Sequence, residues 1–179
     1  MTIQNNLIYS AFKNNVNRLV FLGSSCIYPA SSKQPIKEEY LLTGSLEPTN
    51  DAYAIAKISG IKFCQSLNEQ YNKNYICLMP TNIFGNQDNY NLKTSHFIPA
   101  LIRKIHTAIK KKKKFIEVWG TGKPKREIMH VDDLAESIIY FLNKKTNESL
   151  INIGSGYEKT INEYAKILIK ISGKNLKIK

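Results

Sequence analysis

The stretch RLVFLGSSCIYPA, residues 18–30, decides how this chain folds. After the leading Arg18 its first residues are apolar without polar alternation, the pattern of a parallel strand covered on both faces. Such strands usually give way to turn residues chosen for shape. This one gives way to two hydroxyls, a thiol and a phenol. In open parallel sheets ligands bind outside the carboxyl ends of the strands. The segment is therefore either an ordinary loop or a delivery of reactive side chains to a cleft.

Upstream, Ile3, Leu7, Ile8, Ala11, Phe12 and Val16 form a helical stripe over residues 3–16, with Asn14 and Asn15 as its stop. Downstream, residues 24–50 make a long connection rich in Ser, Pro and Lys, a length that inside a domain often carries function. A helix is predicted over 51–71 with Thr49 or Asn50 as N-cap. Its first part is dense in small residues (Ala52, Ala54, Ala56, Ser59, Gly60) that let another surface approach closely. NYICLMP, residues 74–80, reads as a second buried strand. The pattern then predicts a helix over 95–110, short strands over 116–119 and 127–130, a helix over 132–143 and a strand over 150–153. In the last helix Thr160 and Glu163 form a capping box and Gly173 makes the stop. Alternating strands and helices with continuously apolar strands define an α/β fold with a parallel sheet.

The chain has 179 residues, 42% hydrophobic and 22% charged, with a net charge of +12. Its 23 lysines against 3 arginines argue against nucleic acid as a partner, because base readout and phosphate clamping favour arginine. Lys110 to Lys114 form a run that reads as a solvated helix end or loop. No apolar run approaches the roughly 18 residues of a membrane span, so no membrane partner is expected. MTIQNNLIYS has no signal-peptide pattern. Cys26, Cys64 and Cys77 show no metal-knuckle spacing, and a reducing cytoplasm is the expected compartment. No metal site is expected.

A dinucleotide-binding sheet normally opens on a G-x-G-x-x-G turn, and none is present. GSG at 154–156 and GTG at 120–122 read as turns. Three Y-x-x-x-K pairs occur: Tyr9/Lys13, Tyr53/Lys57 and Tyr140/Lys144. About one is expected by chance, so context must choose among them. Tyr53 opens the small-residue helix between the two strand ends, so Ser24, Tyr53, Lys57 and Asn82 are expected to converge on one crevice. Lys57, one helical turn on, is expected to lower the phenol pKa, because a nearby cation favours phenolate.

The segments LGSSCIYP (22–29), EPTNDAYAIAKISGIK (47–62), MPTNIFG (79–85), SHFIPALIRK (95–104) and VWGTGKPKREIMHVDDLA (118–135) resemble the extended short-chain dehydrogenase/reductases. Among these they resemble the GDP-L-fucose synthase family. The resemblance implies a partial Rossmann-like parallel sheet with part of a smaller C-terminal substrate domain. Residues 1–95 are expected to form mainly the later half of the Rossmann sheet, and 96–179 mixed substrate-binding and returning elements. It implies a chain lacking the N-terminal glycine-rich half and the C-terminal end, and holding its cofactor weakly on its own. It implies NADPH-dependent epimerisation at C3 and C5 of GDP-4-keto-6-deoxy-D-mannose, followed by reduction at C4.

By resemblance Ser24 holds the substrate oxygen, Tyr53 donates the proton in reduction, and Lys57 holds the nicotinamide ribose. Cys26 and His96 are the acid–base pair of epimerisation; a thiol and an imidazole both titrate within reach of neutral pH. Cofactor contacts are implied for Leu22, Gly23, Ser24, Ser25, Tyr53, Lys57, Pro80, Thr81, Asn82, Ile83 and His96. Contacts to the GDP-sugar are implied for Asn82, Lys104, Trp119 and Arg126. A homodimer is implied through the helices near 3–16 and 52–71. Cys64 and Cys77 fall in apolar patterns and are assigned to the core. The competing readings are another nucleotide-sugar epimerase or dehydratase, and a non-catalytic remnant.

Overall fold

Strand β1 (Arg18–Leu22) lies beside β2 (Asn74–Pro80), and β2 beside β6 (Leu150–Ile153), in one parallel sheet of order β1-β2-β6. The computed structural model describes all residues, 1–179. Register runs from Arg18 opposite Asn74 to Leu22 opposite Leu78, and from Cys77 opposite Leu150 to Pro80 opposite Ile153. Such parallel neighbours need long crossovers, and the helices supply them. Two compact units result: residues 1–81 with 132–154, and residues 82–131 with 155–179.

In the first unit, helix α1 (Thr2–Lys13) ends where Asn14 caps it and Asn15 turns to φ 57°. Helix α2 (Asp51–Tyr71) ends at Asn72, which sits in the left-handed region at φ 53°. Asparagine tolerates that conformation better than branched residues do. The small-residue face of α2 has the expected use. A Cβ on Gly60 would fall 2.6 Å from Phe21 Cζ on β1 and 2.8 Å from Gln4 Nε2 on α1. Gln4 donates to the Ala56 carbonyl and to Ser59 Oγ, which fastens α1 along α2. Ile8, Ile27, Ile58, Ile61, Leu67, Tyr75 and Met79 are buried together with Cys64 and Cys77. Each fully buried Ile or Leu contributes about 1.5–3 kcal/mol. Both core cysteines are completely buried free thiols. The Cys77 thiol is pushed up by its hydrogen bond with Cys64, by burial and by the Cys64 charge. Helix α4 (Val131–Asn143) belongs to this unit almost entirely, and its Leu142 carbonyl accepts from Arg18 Nη1 at 2.5 Å.

In the second unit, helix α3 (Phe97–Lys110) packs on α5 (Ile161–Ile171) around Ile98, Leu101, Ile105, Tyr164, Ala165 and Ile169. The capping box at the start of α5 is complete: Thr160 Oγ1 accepts from Glu163 N, and Glu163 Oε2 accepts from Thr160 N. Three short strands escaped the sequence reading: β3 (Asn82–Phe84), β7 (Glu158–Thr160) and β8 (Lys177–Ile178). With β5 (Lys125–His130) they form the order β3-β5-β7, in which β5 and β7 are antiparallel. β8 pairs with β4 (Phe115–Ile116). Strand β4 is shorter than the four residues predicted at 116–119.

Candidate active site

The opening stretch has a local explanation and a chemical one. Ser24 is extended, at φ −167°, and caps a 3-10 turn over Ser25–Ile27 by accepting from Cys26 N. That turn carries the thiol back over the serine, and Ser24 Oγ and Cys26 Sγ stand 3.0 Å apart. Ser24 and Ser25 are half-buried and Cys26 is exposed, while Ile27 and Tyr28 are buried and anchor the turn. The Tyr28 hydroxyl donates to Asn152 Oδ1 at 2.7 Å. Asn152 in turn donates from its backbone to Glu38 Oε1 and from its side chain to the Ile36 carbonyl. Burial, with the Glu38 charge second, pushes the Tyr28 phenol up to about 12 against the pull of the Asn152 bond.

Gly23 leads into this turn. Its N–H bonds the Leu78 carbonyl at 2.8 Å, and a Cβ there would lie 2.4 Å from Met79 Sδ. Only a bare backbone lets β1 end against β2 at this spacing. On α2, Lys57 Nζ reaches the Leu22 carbonyl at 2.8 Å and lies 5.9 Å from the Tyr53 ring centre. The Tyr53 phenol is raised, first by burial and then by the Cys26 charge, while a hydrogen bond with Ser24 draws it back. Lys57 was expected to lower this phenol. The phenol is raised instead, by burial and Cys26, while the ammonium bonds the Leu22 carbonyl. A raised phenol stays protonated at neutral pH, which suits a proton donor.

Asn50 stands at the N-cap position of α2, but its side chain makes no cap hydrogen bond. It donates instead to Cys26 Sγ at 3.3 Å and to the Cys26 carbonyl at 3.4 Å. No local signal announces this, since the two residues are 24 positions apart. Pro80 ends β2; the next residue, Thr81, bonds the Ile153 carbonyl through its N–H, and its buried hydroxyl has no hydrogen-bond partner.

The remaining candidates lie on the second unit. Asn82 and Ile83 are on β3, where Asn82 Nδ2 donates to the Glu127 carbonyl at 3.0 Å. His96 is exposed at the N-cap of α3 and makes no side-chain cap bond. Lys104 Nζ donates to the Glu117 carbonyl at 2.9 Å and lies 4.2 Å from the Trp119 ring centre. A cation over an indole face is attracted by its quadrupole. Burial lowers the Lys104 pKa, with Glu117 opposing. Trp119 is exposed. Arg126 turns its guanidinium to the Lys125 carbonyl, away from any shared contact with that pair. Of the other Y-x-x-x-K pairs, Lys144 does donate to the Tyr140 hydroxyl, but both lie exposed on a helix end.

Residues 1–154 match the family model described as the NAD dependent epimerase/dehydratase family. The chain is similar to the GDP-L-fucose synthase of Escherichia coli (strain K12), with 47% identity over 97% of this chain and 57% of that protein. It is also similar to GDP-L-fucose synthase 1 of Arabidopsis thaliana, with 49% identity over 97% of this chain and 54% of that protein. Among solved structures it resembles a GDP-mannoheptose C4 reductase from Campylobacter jejuni with NADP bound. The TM-score there is 0.88 at 35% identity, covering 99% of this chain and 63% of that one. The chain spans about half the length of the curated relatives it matches. With its Rossmann-like parallel sheet and its Tyr–Lys pair beside a strand end, the chain belongs to the NAD dependent epimerase/dehydratase family.

Proposed function

We propose that this chain carries the acid–base groups of a GDP-L-fucose synthase, which epimerises GDP-4-keto-6-deoxy-D-mannose at C3 and C5 and then reduces C4. The observation that carries the reading is the Ser24–Cys26 contact at 3.0 Å, with the Tyr53 phenol near enough for its pKa to be raised by Cys26 as well as by burial. A reductase needs the hydroxyl and the phenol. An exposed thiol added to them suits proton exchange next to a ketone.

The strand ends fit a nicotinamide nucleotide. Lys57 is half-buried and gives one of its three donors to Leu22. The buried Thr81 hydroxyl lacks a partner, and Gly23 has no room for a side chain. NADPH, when bound, supplies the hydride for C4. Lys57 would hold its ribose, with Leu22, Gly23, Ser24, Ser25, Pro80 and Thr81 along the strand ends and Asn82, Ile83 and His96 as further contacts.

The C4 ketone acidifies the hydrogens on C3 and C5. Cys26 and His96 act as base and acid: one removes a proton to leave an enolate, and the other returns a proton to the opposite face. In reduction Tyr53 gives its proton to the C4 oxygen, which Ser24 holds by a hydrogen bond. Tyr53 then regains a proton from solvent. Lys104 and Arg126 supply positive charge for the diphosphate, with Trp119 and Asn82 as further sugar-nucleotide contacts. Exposed Ile3, Leu7 and Ile55 on α1 and α2 support a homodimer through those helices.

The test is solvent deuterium incorporation into substrate by the chain fused to the N-terminal, glycine-rich part of a full-length relative. Cys26→Ser is expected to suppress exchange at C3 and C5. Undiminished exchange would remove Cys26 from the mechanism. It would favour a second reading, a C4 reductase without epimerisation, given that a GDP-mannoheptose C4 reductase is among the similar solved structures.

A further inference from the structure

We infer that Asn50 is a positioning residue for the Cys26 thiol; its catalytic meaning rests on the epimerase reading, but its geometry does not. Asn50 opens a helix of 21 residues and belongs to the residue class best suited to cap it. A capping asparagine turns its oxygen toward the amides of the first turn. Here the side chain points the other way, and its amide nitrogen is shared between Cys26 Sγ and the Cys26 carbonyl.

The carbonyl fixes the orientation. It only accepts, so the nitrogen end of the amide must face the loop, and the same N–H₂ group then meets the sulfur as a donor. The helix gives up one cap to permit this. Part of the deficit is met next door, where Asp51 Oδ1 accepts from Ala52 N at 2.6 Å. The backbone of Asn50 still serves the helix, since its carbonyl accepts from Ala54 N. Only the side chain has been reassigned.

Two groups therefore hold the sulfur: Asn50 from the helix side, and Ser24, whose hydroxyl rotates to donate or accept. The carbonyl contact pins the loop backbone, and the sulfur contact selects the side-chain rotamer. A donor aimed at sulfur also favours negative charge on it, the form in which a thiol removes a proton. The amide does this without adding a charge of its own, so the sulfur is free to cycle between donor and acceptor of a proton.

Asn50→Asp separates this role from helix capping. Aspartate has the same shape, caps at least as well, and suits the positive helix N-terminus. It replaces the donor near the sulfur with a negative acceptor. Asn50→Ala removes both donor and cap. The measurement is the rate of iodoacetamide alkylation at Cys26 near neutral pH, with melting temperature recorded in parallel. Cys64 and Cys77 are fully buried and do not compete in the folded protein.

Relative to the native chain, alkylation is expected to slow about threefold in Asn50→Ala and about tenfold or more in Asn50→Asp, from loss of a donor and from added repulsion. Stability should follow the other order, with the aspartate variant at least as stable as native and the alanine variant lower. Equal alkylation rates in all three proteins would overturn the inference. So would rates that simply follow stability, because that is the signature of a structural cap. The function has its own control. If the alkylation order holds while Cys26→Ser leaves C3 and C5 exchange unchanged, the thiol is positioned and the epimerase reading falls. If the rates are equal while Cys26→Ser abolishes exchange, the epimerase reading stands and Asn50 has no part in it.

Discussion

Replacing Tyr28 by phenylalanine isolates a single atom that ties the thiol-bearing turn to the sheet. The ring is 3% exposed and keeps its packing in the variant. What is lost is the 2.7 Å bond to Asn152 Oδ1. Asn152 directs its backbone N–H to Glu38 and its side-chain N–H₂ to the Ile36 carbonyl, which holds its oxygen in place after its donor is gone. A lost neutral hydrogen bond that strands a half-buried acceptor costs about 1–3 kcal/mol. For a chain of this size that lowers the melting temperature by about 3–10 °C.

A second arm uses pH. The folded-state pKa of Tyr28 is raised from 10.0 to about 12, so its neutral form is the one folding favours. Its contribution is fully present below about pH 10 and is lost as pH rises through about 12. Urea melts across that window should show the native chain losing stability more steeply than Tyr28→Phe. A variant that melts within a degree or so of native, or that keeps the same alkaline slope, would refute the network as described.

Gly23→Ala should cost about 1–3 kcal/mol in urea unfolding, because its Cβ meets Met79 Sδ at 2.4 Å and the Leu78 carbonyl at 3.4 Å. A neutral result would mean that Met79 moves aside freely. In the same fusion to the N-terminal part of a full-length relative, Tyr53→Phe should slow C4 reduction by about 10²–10⁴-fold while deuterium exchange at C3 and C5 continues. Parallel loss of both activities would show that Tyr53 serves more than the proton transfer to the C4 oxygen.

Helix α2 and strand β2 were legible to the residue, because each carries a strong local pattern and a clear stop. The periodic face of α2 runs into Asn72, and the apolar run of β2 closes on Pro80. The capping box of α5 was legible for the same reason: Thr160 and Glu163 satisfy each other within one turn. Strands β3, β7 and β8 were not, since two or three residues hold too little pattern and their partners lie far along the chain. Asn82 pairs opposite Ile128, for example. In the site, the Ser24–Cys26 contact follows from a spacing of two residues in a tight turn. The reassignment of Asn50 does not, because local capping rules compete there with a partner reached only after folding. The direction of the Tyr53 shift was not legible either, because burial, its largest cause, is settled only by the fold. Helical spacing places Lys57 near the phenol, but spacing is silent about the Leu22 carbonyl that takes its ammonium.

That bond has one more consequence. β1 is a terminal strand of its sheet. Gly23 turns its N–H toward β2, so with the two-residue period of a strand Leu22 and Val20 present their peptide groups to the opposite side. Lys57 occupies the last carbonyl of that outward row, and a lysine so placed is one of the devices by which proteins blunt an open strand edge. Beside it lies an apolar recess of about 420 Å³ lined by Met1, Leu7, Leu19, Phe21 and Lys57. Any strand that adds along β1 in full register must take the Leu22 carbonyl from Lys57. Pairing along that edge would therefore free the lysine ammonium from the strand end, so the state of the edge and the position of Lys57 are linked.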